Sequence, residues 1–152
     1  MRSRSATDWG CEDPHGGGLS MRLELDAQIL QACPILFRRG LRDGFRCEDG
    51  WFAILEQLSL RLEALCMALP LQEEAPVALQ VKEKFGGLRF YLSRRTPEMV
   101  ALIAEASEAC ERTCEVCGHP GENAEIRGWH QTLCPWCRKE KEQRRSGQDS
   151  AD

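Results

Sequence analysis

This sequence has no long hydrophobic run. No stretch approaches the ~20 consecutive apolar residues that a membrane-spanning helix needs, so we expect no membrane partner. The first residues, from Met1 to Asp8, contain no apolar segment of the kind that a signal peptide carries. These two absences predict a protein of the cytoplasm, where thiols stay reduced. The sequence also contains no internal repeat.

An excess of positive charge is missing as well. The 24 acidic residues outnumber the 20 lysines and arginines, and the formal net charge is −4. A general affinity for phosphates is therefore not expected, although a local basic surface is compatible with this balance. We find no nucleophile motif and no phosphate-binding loop, which predicts a protein that is not an enzyme.

Cysteine, by contrast, is abundant, and four of the nine cysteines form two Cys-x-x-Cys pairs separated by 16 residues. Two residues between thiols let one tight turn direct both sulfurs at one ion, and this spacing is typical of a structural zinc site. Gly118 follows the first pair, where such a turn often needs a positive φ. Four sulfur ligands leave no coordination position for a catalytic water. The predicted ligands of a structural Zn²⁺ are Cys114, Cys117, Cys134 and Cys137.

Other thiols and two histidines leave alternatives for this site. Cys33 and Cys66 stand at apolar positions and are predicted to be inert core thiols. Cys110 lies four residues before the first pair, and it could replace a ligand, as could His119 or His130. Rubredoxin-like iron would fit the same spacing, but no other feature of the sequence indicates a redox role.

The order of the predicted elements indicates an α+β protein in which helices pack on one side of a small antiparallel sheet. Its C-terminal finger is predicted to be treble-clef-like, because a Cys turn, a short hairpin and a second Cys pair at the start of a helix follow one another. A zinc ribbon is the alternative. The predicted divisions are a flexible tail over 1–20, an α+β domain over 21–113, a zinc finger with a trailing helix over 114–145 and a disordered tail over 146–152.

Three helices are predicted in the α+β domain. The first is a short helix or a helix pair over residues 26–38, with Asp26 as its cap and Pro34 dividing the segment. Asp49 is predicted to cap the second, and Pro70 to end it. Thr96 caps the third. The apolar stripe of the second helix is Trp51, Leu55, Leu58, Leu62, Leu65 and Leu69, and the inner face of the third is Val100, Ile103, Ala106 (or Ser107) and Cys110.

Between the second and third helices, residues 77–93 predict a β-hairpin with Gly86 and Gly87 in its turn and Phe85 opposite Leu88. Glu83 then falls on the apolar side, where a carboxylate needs an arginine partner, a bulge or a role in a site. The predicted inner face is Leu79, Val81, Phe85, Leu88, Phe90 and Leu92. The outer face, which is the candidate binding face, is Lys82, Lys84, Arg89 and Tyr91.

Four segments in this order resemble a family of small, largely uncharacterised proteins encoded by phages, prophages and bacteria. The segments are Cys-Glu-Asp-Gly-Trp at 47–51, Val-Lys-Glu-Lys-Phe-Gly-Gly-Leu-Arg-Phe-Tyr at 81–91, residues 113–121 and residues 128–134. The resemblance covers about residues 34–138. In some of those proteins a histidine replaces the last cysteine, which suits a ligand role for Cys137. The resemblance implies a zinc-bearing accessory protein and no particular activity.

The sequence features suggest three alternative functions. The first is a non-catalytic accessory protein of phage or prophage type that acts through a protein partner. The second is nucleic-acid binding through the outer hairpin face and the basic segment 138–145. The third, a ββα-metal nuclease, needs histidine and asparagine ligands between the Cys pairs. His119, Asn123 and His130 are available there, without the paired-histidine strand of such enzymes.

Overall fold

The chain forms four α-helices and five β-strands within the residues that are described. The structure is a computed structural model, and it describes residues 20–149. The helices are α1 (Leu23–Ala32), α2 (Phe52–Met67), α3 (Pro97–Cys110) and α4 (Pro135–Asp149). The strands are β1 (Phe45–Arg46), β2 (Ala78–Lys84), β3 (Gly87–Leu92), β4 (Glu122–Ile126) and β5 (Trp129–Leu133). The predicted tail over 1–20 lies outside the described residues except for Ser20, whereas α4 continues into the segment 146–152 as far as Asp149.

The strands form two small sheets. In the first sheet the order is β1-β2-β3, with β1 parallel to β2 and β2 antiparallel to β3. The second sheet is the antiparallel pair β4-β5. The predicted α+β class is confirmed. The parallel strand β1 was not predicted, because its two residues are too few to show the alternation that marks a strand.

The main core lies between the first three helices and the inner face of the first sheet. The apolar stripe of α2 faces this core as predicted, with Trp51, Leu55, Leu58 and Leu62 buried. Asp49, the predicted cap, makes no capping bond. Its carboxylate instead accepts the backbone N–H of Arg22 and forms an ion pair with the Arg22 side chain at 2.6 Å.

The first helix ends earlier than predicted, at Ala32, because the chain turns at Pro34. Asp26 does not cap this helix but lies buried inside its first turns. The turn after Pro34 is held instead by Glu63 of α2. The buried Glu63 carboxylate accepts the backbone N–H groups of Ile35 and Leu36 at 2.9 and 3.0 Å.

The third helix begins as predicted. The Thr96 hydroxyl accepts the backbone N–H of Met99, and Pro97 occupies the first helical position. One residue of the predicted inner face is wrong: Val100 is 48% exposed, and Met99 is buried in its place. The helix is therefore rotated so that Met99, Ala106 and Cys110 face the core.

The turn of the β2–β3 hairpin lies one residue earlier than predicted, so the β2 residues over 81–84 pair with β3 residues two positions before their predicted partners. Lys84 pairs with Gly87, so the turn consists of Phe85 and Gly86, both with positive φ (55° and 82°). The prediction that Phe85 opposes Leu88 is wrong. Phe85 is 68% exposed, and the irregularity between Ala78 and Gln80 leaves Leu79 exposed too. The remaining predicted inner residues, Val81, Leu88, Phe90 and Leu92, are buried.

Glu83 has a structural role that differs from the three expected ones. Its Oε1 atom accepts the backbone N–H of Gly86 at 2.8 Å, and this bond closes the turn. The carboxylate is therefore satisfied by the turn itself. No arginine or bulge is needed to explain its position.

We predict that Glu63→Ala lowers the free energy of unfolding by about 2–3 kcal/mol, since the buried N–H of Leu36 and the half-buried N–H of Ile35 lose their acceptor. Urea unfolding followed by circular dichroism measures this change. Gln57→Ala, at an exposed position of the same helix, is the control and should have little effect. Equal midpoints for the two variants would contradict the assignment.

Candidate metal centre

The four predicted zinc ligands meet at one point. Their Sγ atoms all lie within 4.8 Å of one another, and Cys114, Cys134 and Cys137 are buried while Cys117 is half-buried. Cys114 and Cys117 lie in the turn that follows α3, and the second pair lies at the start of α4. The cysteines are free thiols. The sequence spacing therefore identified a true spatial cluster.

Local backbone chemistry explains why these sulfurs converge. Gly118 adopts a φ of 83° and its N–H donates to the carbonyl of Cys114 at 2.9 Å, which closes the first turn. The hairpin of β4 and β5 then reverses the chain at Arg127 and Gly128, both with positive φ. This reversal brings the second Cys pair back beside the first pair.

The distance between two of the sulfurs fits a metal ion with four sulfur ligands in tetrahedral coordination. Bonds of about 2.3 Å from zinc to four sulfurs place neighbouring sulfurs about 3.8 Å apart. The Sγ atoms of Cys117 and Cys134 are 3.7 Å apart, far longer than the ~2.05 Å of a disulfide. The backbone N–H of Cys137 points to the Sγ atom of Cys134 at 3.4 Å, as it would toward a thiolate. Size and donor set both suit Zn²⁺.

The surroundings of Cys137 disfavour its thiolate form. Hydrogen bonds with Cys114 and Cys117, followed by burial, raise the pKa of Cys137 far above the ordinary value of a thiol. A thiol must lose its proton to bind a metal ion, and a divalent cation beside the four sulfurs would offset the cost of that loss.

Of the three alternative ligands Cys110, His119 and His130, His119 lies beside the cluster. Cys33, Cys66 and Cys110 are buried in the main core, and burial raises the pKa of each thiol, to about 12 for Cys33. The Nδ1 atom of His119 lies 3.1 Å from the Sγ atom of Cys117, beside the cluster. His130 lies on β5, where it contacts Asn123 of β4.

The turn over residues 113–118, which carries the first Cys pair and is hereafter called the metal turn, packs against residues 47–51, hereafter the 47–51 corner. The N–H of Gly50 donates to the backbone carbonyl of Glu115 at 2.7 Å, and the N–H of Glu48 donates to the Glu115 carboxylate at 3.1 Å. The indole N–H of Trp51 donates to the carbonyl of Thr113 at 2.9 Å. Three bonds thus join the corner to the metal turn.

The fit at Gly50 excludes any side chain. A Cβ atom there would come closer than 3.0 Å to the carbonyl oxygens of Cys114 and Glu115. The corner therefore approaches the metal turn backbone to backbone. Glycine at position 50 is the condition for that approach.

A buried polar network fills the space beside this contact. The Gln131 amide donates to the carboxylates of Glu48 (2.6 Å) and Glu115 (3.0 Å). The Lys141 ammonium donates to Glu48 at 3.2 Å and to the Gln131 carbonyl at 3.0 Å. Burial, followed by the nearby charges of Glu48 and Glu83, raises the pKa of Glu115 to about 8. The network joins the corner, the metal turn, β5 and α4.

A second contact joins the two hairpins. The Thr132 hydroxyl donates to the carbonyl of Gly86 at 2.6 Å, and the Asn123 amide donates to the carbonyl of Phe85 at 3.1 Å. A Cβ atom on Gly86 would collide with the Asn123 amide. The tip of the β2–β3 hairpin therefore rests on the β4–β5 hairpin.

The predicted binding residues lie apart from the metal cluster, on the outer face of the first sheet. Lys84, Arg89 and Tyr91 are exposed and Lys82 is half-buried. Sequence reasoning missed the contributions of Glu48, Gln131 and Lys141, because a buried polar network leaves no periodic signal. The sequence feature that could have indicated this network is the segment 47–51, whose acidic residues immediately precede the helix α2.

Comparisons with family models, with curated proteins and with solved structures gave no match to this chain. Within residues 20–149, no helix has the length and apolar character needed to cross a bilayer.

We predict that Gly50→Ala lowers the free energy of unfolding by about 2–3 kcal/mol, because the added methyl group separates the corner from the metal turn. Thermal unfolding provides the measurement. Gly87→Ala is the matched control, since a Cβ atom there would have no neighbour nearer than 3.5 Å and Gly87 has no positive φ. A Gly50→Ala protein as stable as the Gly87→Ala protein would disprove the close approach.

Proposed function

We propose that this chain is a non-catalytic, zinc-stabilised accessory protein of phage or prophage type, which acts in the cytoplasm through a protein partner. The observation that supports the proposal most is the cluster of four cysteines, whose Sγ atoms all lie within 4.8 Å of one another. Four protein ligands leave no open position for a reacting water, so such an ion holds structure.

The finger is proposed to be treble-clef-like rather than a zinc ribbon. The first Cys pair lies in a turn, the β4–β5 hairpin follows, and the second pair lies at the N-terminal end of α4. A ribbon would carry its second pair on a hairpin. The N-terminal end of α4 also favours thiolate charge through its partial positive charge.

Zinc has a clear structural task in this finger. Its apolar core is small and half of it is made of the ligand cysteines: Cys114, Ala124, Ile126, Leu133, Cys134 and Cys137. Metal binding in small modules supplies roughly 10–16 kcal/mol near neutral pH. Because Glu115 lies between two ligands, the ion would also hold the metal turn in the shape that fits the 47–51 corner.

We predict one zinc per chain in purified protein, measured by atomic emission, which also distinguishes zinc from iron. Cys114→Ser and Cys134→Ser should lose the metal and unfold at lower urea concentration. Cys33→Ala, which changes a core thiol outside the cluster, should keep its zinc. Metal-free protein, or serine variants as stable as the unchanged chain, would refute the zinc proposal.

The proposed contact surface for a protein partner is a cleft of about 310 Å³ between the two hairpin tips. Phe85 is the notable residue there, because it is 68% exposed and holds a positive φ that costs a residue other than glycine roughly 1–2 kcal/mol. An exposed aromatic ring in an unfavourable backbone conformation is poorly explained by stability alone. The cleft is lined by Glu83, Lys84, Phe85, Gly128, Trp129 and His130.

We predict that Phe85→Asn separates stability from binding. Asparagine tolerates a positive φ, so this variant should be slightly more stable than the unchanged chain. It should nevertheless capture at least tenfold less partner from a bacterial lysate treated with nucleases, as expected when an aromatic anchor is removed. Mass spectrometry quantifies the captured protein.

Leu71→Asn, which replaces an exposed apolar residue outside the cleft, is the matched control and should capture the partner normally. Undiminished capture by Phe85→Asn would refute the cleft as the contact surface. Loss of all captured protein on nuclease treatment would refute a direct protein partner.

A second candidate function is nucleic-acid binding through the outer hairpin face and the basic part of α4. One observation favours it: in the part of the chain with described side chains, Lys82, Lys84 and Arg89 form no ion pair with a carboxylate. Cations left without acidic partners favour an anionic ligand.

A further inference from the structure

The outer face of the first sheet carries a row of three cations that only the strand pairing brings together. Arg46 of β1 pairs with Lys82 of β2, and Lys82 pairs with Arg89 of β3. Side chains of residues paired across neighbouring strands point to the same side of a sheet, with strands about 4.8 Å apart. The adjacent row points inward and is fully buried: Phe45, Val81 and Phe90.

This row is not neutralised within the chain. Among residues 20–144, none of the three cations forms an ion pair with a carboxylate. Lys82 instead lies 6.0 Å from the centre of the Tyr91 ring, and Arg89 donates to the carbonyl of Leu88. Like charges placed directly opposite each other destabilise a sheet. An anionic ligand would remove this repulsion.

An aromatic ring and a groove adjoin the row. Tyr91 is 41% exposed and stands beside the cations on the same face, opposite Gln80. Next to it lies a groove of about 560 Å³, in which Leu79 supplies an apolar surface and Asp43 is the single carboxylate. The face thus combines fixed positive charge with an exposed ring and an adjoining groove.

We propose that this face binds single-stranded nucleic acid, with phosphates on Arg46, Lys82 and Arg89 and a base stacked on Tyr91. A ring that stacks needs an unpaired base, which a duplex does not offer. The inference rests on the second candidate function and is independent of the protein partner. It adds Arg46, which the sequence did not place near the hairpin.

The test is a fluorescence anisotropy titration of the full zinc-loaded chain with labelled oligo-dT and oligo-U at 50 and 200 mM salt. Three phosphate contacts on a single strand give a slope of about −2 in log K against log salt. Binding should therefore weaken about 10- to 20-fold between the two salt concentrations. A duplex of equal length should bind more weakly than the single strand.

Substitutions separate the two kinds of contact. Arg46→Gln and Arg89→Gln should each weaken binding and make the salt slope shallower by about 0.7. Tyr91→Ala should weaken binding about 5- to 150-fold with the slope unchanged, and Tyr91→Phe should restore it. Arg61→Gln, at a cation on α2, should bind like the unchanged chain.

The inference fails if the folded chain does not bind either oligonucleotide at 50 mM salt, or if Arg46→Gln binds as tightly as Arg61→Gln. It also fails if polyglutamate displaces the oligonucleotide and binds the Tyr91→Ala variant as tightly as it binds the unchanged chain. The row of Arg46, Lys82 and Arg89 would then be a site for acidic protein. Phe85→Asn should bind the oligonucleotides normally, so failure here and failure of the protein-partner proposal are separate results. Thermal unfolding of every variant verifies that it is folded.

Discussion

Glu115 lies between two of the four clustered cysteines and is completely buried against the 47–51 corner. Its backbone carbonyl accepts the N–H of Gly50. Its carboxylate accepts the backbone N–H of Glu48 and the side-chain amide of Gln131. The turn that carries the first two of the clustered cysteines is therefore the same turn that docks onto the main core. Since the finger has little apolar core of its own, its position depends on this contact.

The same contact brings together four segments that the sequence analysis treated as separate, at 47–51, 81–91, 113–121 and 128–134. Residues 47–51 form the corner, and residues 113–121 contain the metal turn that receives it. Residues 81–91 form the hairpin whose tip rests on residues of the segment 128–134 and on Asn123. All four segments thus contribute to the junction between the main core and the finger. A pattern that reads as separate motifs along the chain is one packed interface.

Buried acidic groups show how far the sequence could be interpreted. Glu83 was recognised as an anomaly on an apolar face, yet its partner, the N–H of Gly86, followed from a turn displaced by one residue. That displacement exposes Phe85, which the alternation pattern placed inside. Glu63 was not recognised, although it holds the turn after Pro34. The buried face of α2 was more predictable, because its successive turns repeat the same spacing of apolar residues.

The sequence by itself determined the local features: the stripe of α2, the Thr96 cap, the existence of a hairpin and the two Cys pairs. Each lies within one short stretch of the chain, the longest being the two Cys pairs over residues 114–137, so spacing alone carries the information. The tertiary structure decided the rest. The row of Arg46, Lys82 and Arg89, the network around Gln131 and the place of Gly50 join residues that are far apart in the chain. Such contacts follow from which surfaces pack together, and a linear pattern does not encode that choice in any short window.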